Sequence, residues 1–280
     1  MQPVPIDLPP LSPGLRVAHI DDIPRMAKIC VAGFYTPPHP DNGSSSHTEF
    51  FGWSRPYYAE YPENTYADYA DAMRRYIADA GCVVLVAEDL YLGPIEERAC
   101  VDDAILDPTG MIREKDPGEQ VVVGVAGWLV EGPGVASWAS GQVSAWGRKK
   151  EEGEHQKGER EEAPSTTVVL SRDKDQYRTK LWQEQCAAPV AEYLQGKQEL
   201  RFLAMHPAYQ RLGRGSALVA WGTELASARG KSQGVVSGRR GEKVYLKHGF
   251  KLVRSLTVAD ERGEESVTLS VALLEFVPGR

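Results

Sequence analysis

Cysteine is scarce in this sequence and unorganised. Cys30, Cys82, Cys100 and Cys186 are the only four, and they form no CxxC pair and no metal-ligand spacing. That excludes a disulfide-framed scaffold and a zinc ribbon and leaves reduced, intracellular thiols as the expectation. The six histidines fall nowhere near cysteines or carboxylates at ligand spacing, so no metal site is expected. Long apolar runs are missing too. The longest, Val121 to Val130, is far short of the ~20 residues that span a bilayer. The N-terminus, MQPVPIDLPPLSPG, has neither the basic region nor the apolar core of a secretory signal. The expected location is therefore cytoplasmic, with the nucleus left open. An excess of positive charge is also lacking. Lys and Arg total 32 against 39 Asp and Glu, a net charge of −7, which argues against nucleic acid and anionic membrane as partners.

What remains is the composition of an ordinary soluble globular protein, 42% hydrophobic and 25% charged over 280 residues. That length allows one well-buried core or two small domains. Residues 1–14 are proline-rich and read as an arm. Leu15 to Ile20 reads as a strand, and an amphipathic helix follows with Ile23, Met26, Cys30 and Phe34 at helical spacing. The loop from Tyr35 to Ser46 leads on to a second helix, Tyr66 to Ala80, which Gly81 is expected to end with a left-handed cap. Cys82 to Ala87 and Gln120 to Val130 read as adjacent central strands, separated by an irregular connection from Glu88 to Glu119.

Residues 132–198 read as a long insertion within a single domain, 15–280. Within it, Arg148 to Glu162 holds eleven charged residues in fifteen and is expected to be disordered. A bent helix, Asp173 to Leu194, is expected around Pro189. Thereafter the order is strand (199–206), helix (215–229), short strand (234–237), short helix (242–248) and two terminal strands (250–257 and 266–276). The sum is a mixed α/β or α+β domain around one sheet.

The chemistry is concentrated at 203–218, LAMHPAYQRLGRGSAL. Pro207 stops the strand, and Gln210-Arg211-Leu212-Gly213-Arg214-Gly215 leads into a helix with Ala217, Leu218, Trp221 and Leu225 on its apolar stripe. The two glycines remove the Cβ atoms that would block backbone approach to a ligand. Free N–H groups at the helix start, the helix dipole, Arg211 and Arg214 together make an anion site suited to a pyrophosphate. There is no Gly-Lys-Ser/Thr, and the spacing is not GxGxxG, so nucleotide triphosphate and dinucleotide folds are set aside.

Q-x-x-G-x-G at 210–215, preceded by L-A-M-H-P-A-Y and followed by S-A-L, resembles motif A of the GCN5-related N-acetyltransferase (GNAT) superfamily. Tyr245-Leu246-Lys247-His248-Gly249-Phe250 resembles that superfamily's Y-x-k-x-G-F signature, and Ser237 with Gly241 resembles its lead-in. The close resemblance covers about 199–257. It implies a mostly antiparallel, splayed central sheet flanked by helices in a single domain, and acetyl-CoA as co-substrate. It also implies pantetheine contacts from the backbone of Leu203, Ala204 and Met205, and pyrophosphate contacts from Gln210, Arg211, Leu212, Gly213, Arg214, Gly215 and Ser216. Tyr245 then becomes the acid for the departing thiolate, a phenol of pKa about 10. Glu199 resembles the base of the superfamily's histone-modifying members, and strand alternation puts it on one face with Arg201, Leu203 and Met205.

No cysteine lies in either motif, so direct transfer to an amine in a ternary complex is expected. The resemblance places the acceptor beside the connection between the first two helices. That region holds Phe50, Phe51, Trp53, Tyr57, Tyr58, Tyr61, Tyr66 and Tyr69 with Glu49, Glu60, Glu63 and Asp68, which suits a small cationic or aromatic amine. A protein lysine or N-terminus, and a non-catalytic acyl-CoA-binding protein, are the alternatives.

Overall fold

A computed structural model describes residues 9–35, 49–98, 116–130, 171–263 and 266–279. The charged stretch 148–162, Cys100, residues 36–48 of the first loop and most of the connection before Gln120 lie outside them.

Seven strands make one sheet: β1 (Leu15–Val17), β2 (Cys82–Leu90), β3 (Gln120–Leu129), β4 (Gln198–Met205), β5 (Gln233–Ser237), β6 (Lys251–Asp260) and β7 (Val267–Phe276). Their order is β1-β2-β3-β4-β5-β7-β6. Only β4 and β5 run parallel; the other five neighbouring pairs are antiparallel. The helices are α1 (Ile23–Phe34), α2 (Phe50–Ser54), α3 (Pro62–Ala78), α4 (Pro94–Arg98), α5 (Gln176–Trp182), α6 (Ala188–Leu194), α7 (Arg214–Arg229) and α8 (Arg239–Lys247). The fold is a mixed α+β domain with a mostly antiparallel sheet flanked by helices. None of the described helices is long and apolar enough to cross a membrane.

β2 and β3 read as unbroken apolar runs because both their faces are covered. On one face Met26, Ile29 and Cys30 of α1 and Met73 of α3 pack on Val84, Val86, Val125 and Ala204. On the other, Leu218, Trp221 and Leu225 of α7 pack on Leu85, Val123, Trp128 and Leu200. Each such fully buried side chain contributes roughly 1.5–3 kcal/mol. α7 comes so close at Gly222 that a Cβ there would lie 2.3 Å from Trp128 Nε1. The chain before β1 also packs here, with Leu11 against the core and Pro9 O accepting from Trp221 Nε1 at 3.1 Å.

Three local expectations change. Gly81 is not a left-handed cap. α3 stops at Ala78 with extended Asp79 as its cap, and the Asp79 carboxylate accepts from the Gly81 N–H at 2.8 Å. The bent helix starts later, at α5, because the Asp175 carboxylate caps the N–H groups of Tyr177 and Arg178. Its interruption is a π turn at Gln183–Ala187, ahead of Pro189. The wide turn absorbs the proline's missing N–H and its crowding of the carbonyl four residues back.

The third change falls on β4. Its register against β3 slips between Gly127/Phe202 and Trp128/Leu200, leaving Arg201 as a bulge. Leu200 therefore joins Leu203 and Met205 on the α7 face, while Phe202 and Ala204 face α1 and α3. Strict alternation fails at Arg201, and Glu199 does not share a face with Leu203 and Met205.

Candidate active site

β4 and β5 pair only from Gln198 to Leu200 and from Gln233 to Val235. Beyond that the two strands part, and Arg201 to Met205 has no partner on the β5 side. This is the splay that the sequence resemblance implies. A cleft of about 860 Å³ opens into it.

One end of the cleft is the glycine turn. His206 and a 3₁₀ turn, Pro207–Tyr209, carry the chain off the end of β4. Arg211 (φ 68°) and Gly213 (φ 85°) both sit in the left-handed region, which aims the next segment back over the sheet. No side chain caps α7 at Gly213, so its first-turn N–H groups stay available to an anion. A Cβ on Gly215 would meet Met205 Cγ at 3.2 Å, so the helix start lies directly on the strand. Leu203, Ala204, Met205, Gln210, Arg211, Gly213, Gly215 and Ser216, all expected in the site, line the cleft. Leu212 and Arg214 do not. Leu212 is exposed, and Arg214 turns away to Asp89 (2.9 Å) and the Pro13 carbonyl (3.3 Å).

Beneath this turn lies a buried cluster that sequence reading missed. Arg25 pairs with both oxygens of Glu97, and Lys28 lies 3.1 Å from the same carboxylate. Tyr209 Oη donates to Glu97 Oε1 at 2.9 Å and accepts the Leu92 N–H at 3.1 Å. Burial alone would raise the Glu97 pKa, but Arg25, His206 and Lys28 hold it down at about 2. Burial keeps His206 neutral, with its pKa lowered to about 3. Its 3.9 Å approach to Glu97 is thus no ion pair and too long for a hydrogen bond. Glu97 and Tyr209 are 112 residues apart, and nothing local in the sequence links them.

Tyr245 of α8 is 5% exposed and lines the cleft. Its ring packs on Phe250 (5.6 Å between centroids) and under Gly241, where a Cβ would lie 3.1 Å from it. Its hydroxyl has no hydrogen-bond partner among the described residues. Burial raises its pKa above that of a free phenol, so it holds its proton at neutral pH.

Glu199 does not line the cleft. It pairs with the bulged Arg201 at 3.1 Å, and burial raises its pKa despite that partner. The acceptor region divides as well. Phe50, Phe51, Tyr69 and Glu49 line the cleft, whereas Trp53, Tyr57, Tyr58, Tyr61 and Tyr66 do not. Phe34 and Trp182 join the first group, and Trp182 comes from the 132–198 segment.

A parted β4–β5 pair, an uncapped glycine turn and a buried phenol meet in one cleft. No family model matches the chain. It is 30% identical over 275 residues, 97% of its length, to a Stachybotrys chartarum protein named Acetyltransferase, of which it covers 95%. The chain belongs to the acetyltransferases and is an acyltransferase enzyme. Among solved structures it is similar to a Corynebacterium glutamicum protein, histone acetyltransferase HPA2 and related acetyltransferase. There the identity is 15%, the coverage 96% of this chain and 98% of that one, and the TM-score 0.47. It is also similar to a Salmonella typhimurium putative acetyltransferase solved with acetyl-CoA, at 12% identity, 94% and 92% coverage and TM-score 0.40.

Proposed function

We propose that this enzyme transfers an acetyl group from acetyl-CoA directly to the nitrogen of a small amine, with both substrates in the cleft together. The observation that carries this reading is the continuity of the cleft, which is lined from the α7 turn through Leu203 and Met205 to Tyr245. In this reading the open edge of β4 receives the pantetheine amides, and the N–H groups at the start of α7, with Arg211, hold the pyrophosphate. The same reading treats 15–280 as one domain, since strands of one sheet come from both sides of residues 132–198.

The neutral amine attacks the thioester carbonyl carbon. As the C–N bond forms and the C–S bond breaks, Tyr245 gives its phenolic proton to the sulfur and regains one from the amine nitrogen through water. Direct transfer is supported by the cysteines: Cys30, Cys82 and Cys186 are buried and none lines the cleft. Burial raises the pKa of all three thiols, Cys82 to about 12, which disfavours a thiolate at each of these three positions.

The test is thiol release from acetyl-CoA across an amine panel. Tyr245→Phe is expected to lower kcat about 100-fold while calorimetric acetyl-CoA affinity stays within twofold. Incubation with acetyl-CoA alone is expected to leave the enzyme mass unchanged. An acetylated enzyme, or acetyl-CoA binding without turnover on any amine, overturns the reading.

A further inference from the structure

The acceptor end of the cleft carries one carboxylate set among aromatic rings. Of the described residues lining the cleft, Glu49 alone is acidic. Phe51 stacks with Tyr69 at 6.4 Å, Phe34 with Tyr69 at 5.9 Å, and Phe50 meets Trp182 edge-on at 5.1 Å. Glu49 makes its contacts on the other half of the sheet, at the turn between β5 and α8. Its Oε1 accepts the Arg240 N–H at 3.3 Å, a weak contact, and Oε2 has no partner among the described residues. Gly238 makes the approach feasible, since a Cβ there would lie 1.9 Å from Oε2. Arg240 is already committed, its guanidinium donating to the Gly33 and Phe34 carbonyls at the end of α1. Glu49 and Tyr245 thus meet the same turn, 237–241, Glu49 at Gly238 and Arg240 and Tyr245 at Gly241.

We propose that Glu49 is the carboxylate that receives the acceptor's ammonium group, and that the acceptor is a primary amine borne on an aromatic or similarly flat apolar body. This rests on the acetyl-transfer reading above. Oε2 accepts a hydrogen bond from the ammonium and takes one proton from it. The freed lone pair attacks the acetyl carbon, and the proton passes from Glu49 to solvent. The overall release of one proton balances RNH₃⁺ and acetyl-CoA against the amide and CoA thiol. The rings around Phe51 and Trp182 supply apolar and cation–π surface and exclude water from the amine. A hydrophilic acceptor would leave that surface unmatched.

Steady-state thiol release with 2-phenylethylamine, ethanolamine and a lysine-containing peptide tests this, alongside calorimetric titration of acetyl-CoA. Wild type is expected to favour 2-phenylethylamine over ethanolamine in kcat/KM by about 100-fold, the worth of burying an aromatic side group. Glu49→Gln is expected to raise the amine KM at least about tenfold, the loss of a charged hydrogen bond. It should leave acetyl-CoA affinity within twofold, and Glu49→Asp should recover part of the loss. If Glu49 served only to hold the Arg240 N–H at the start of α8, the variant would move both substrates together or neither. Equal use of ethanolamine or the peptide, or an unchanged amine KM in Glu49→Gln with acetyl-CoA still bound, overturns the inference and leaves acetyl transfer standing. No acetyl-CoA binding by wild type overturns both.

Discussion

The two ends of the cleft are built from different material. At the glycine turn the lining residues come from one stretch between Leu203 and Ser216, and the uncapped first turn of α7 offers main-chain N–H groups there. At the aromatic end the lining groups are side chains from α1, α2, α3 and α5. A main-chain site suits the invariant part of a co-substrate, because substitutions leave its N–H groups in place. A side-chain site suits the part that differs from one enzyme to the next. Each end nevertheless rests on a buried carboxylate. Glu97 holds Arg25, Lys28 and Tyr209 under the turn. Asp173 holds Arg55 and accepts from Thr65 Oγ1 at 2.7 Å, which ties the approach to α5 against α3.

The sharpest way to separate the ends is to remove these carboxylates one at a time. Glu97→Gln leaves the Arg25 guanidinium without its carboxylate and is expected to cost about 3–5 kcal/mol in denaturant unfolding, whereas Asp173→Asn leaves Arg55 with Asp68 at 2.9 Å and is expected to cost less. Of the protein that stays folded, Glu97→Gln is expected to raise the acetyl-CoA KM and Asp173→Asn the amine KM. If both variants raise the same KM, the two ends are not independent. Acid adds a second reading of the turn. His206 and Glu97 both have lowered folded-state pKa values, near 3 and 2 against ordinary values of 6.5 and 4.5. Each therefore contributes stability above its ordinary pKa that is lost as pH falls toward the folded value. Loss begins below about pH 6.5 through His206 and steepens below 4.5 through Glu97. His206→Asn should flatten the upper part of that slope alone.

The same difference explains what the sequence made legible. The turn could be read because its function follows from local spacing: a proline, two glycines and a helix stripe within sixteen residues. Tyr245 could be read for the same reason, five residues before Phe250 in one motif. The aromatic end could be read only as a composition. Phe51 and Tyr69 face the cleft while Tyr58 and Tyr66 do not, and that follows from how α2 and α3 pack. Trp182 comes from beyond Asp173, through ion pairs that join residues more than a hundred positions apart. The Arg201 bulge was invisible as well. It is set by register against β3, and it takes Glu199 off the face that simple alternation assigns it.

Gly213→Ala probes the main-chain end with a smaller effect. Nothing lies within 4 Å of a Cβ there, so no clash arises, but φ of 85° disfavours any side chain. About 1 kcal/mol of strain is expected. It should appear as roughly a fivefold rise in acetyl-CoA KM with the amine KM unchanged. A KM unchanged for both substrates would mean that the turn's backbone conformation does not matter to binding.

The smallest expected effect is the most pointed. Glu199 is the second residue of β4 and resembles a catalytic base, yet it pairs with Arg201 and stays out of the cleft. To take a proton from an amine beside Tyr245 it would have to leave Arg201 and relay through water around the bulge. Glu49 lines the cleft with Tyr245 and touches the same turn, 237–241. Glu199→Gln should therefore change kcat less than twofold and leave the pH–rate profile where it was, while Glu49→Gln moves its acid limb. If Glu199→Gln instead shifts that limb and Glu49→Gln does not, the base sits at the strand start, and the division of labour between the two ends of the cleft is drawn in the wrong place.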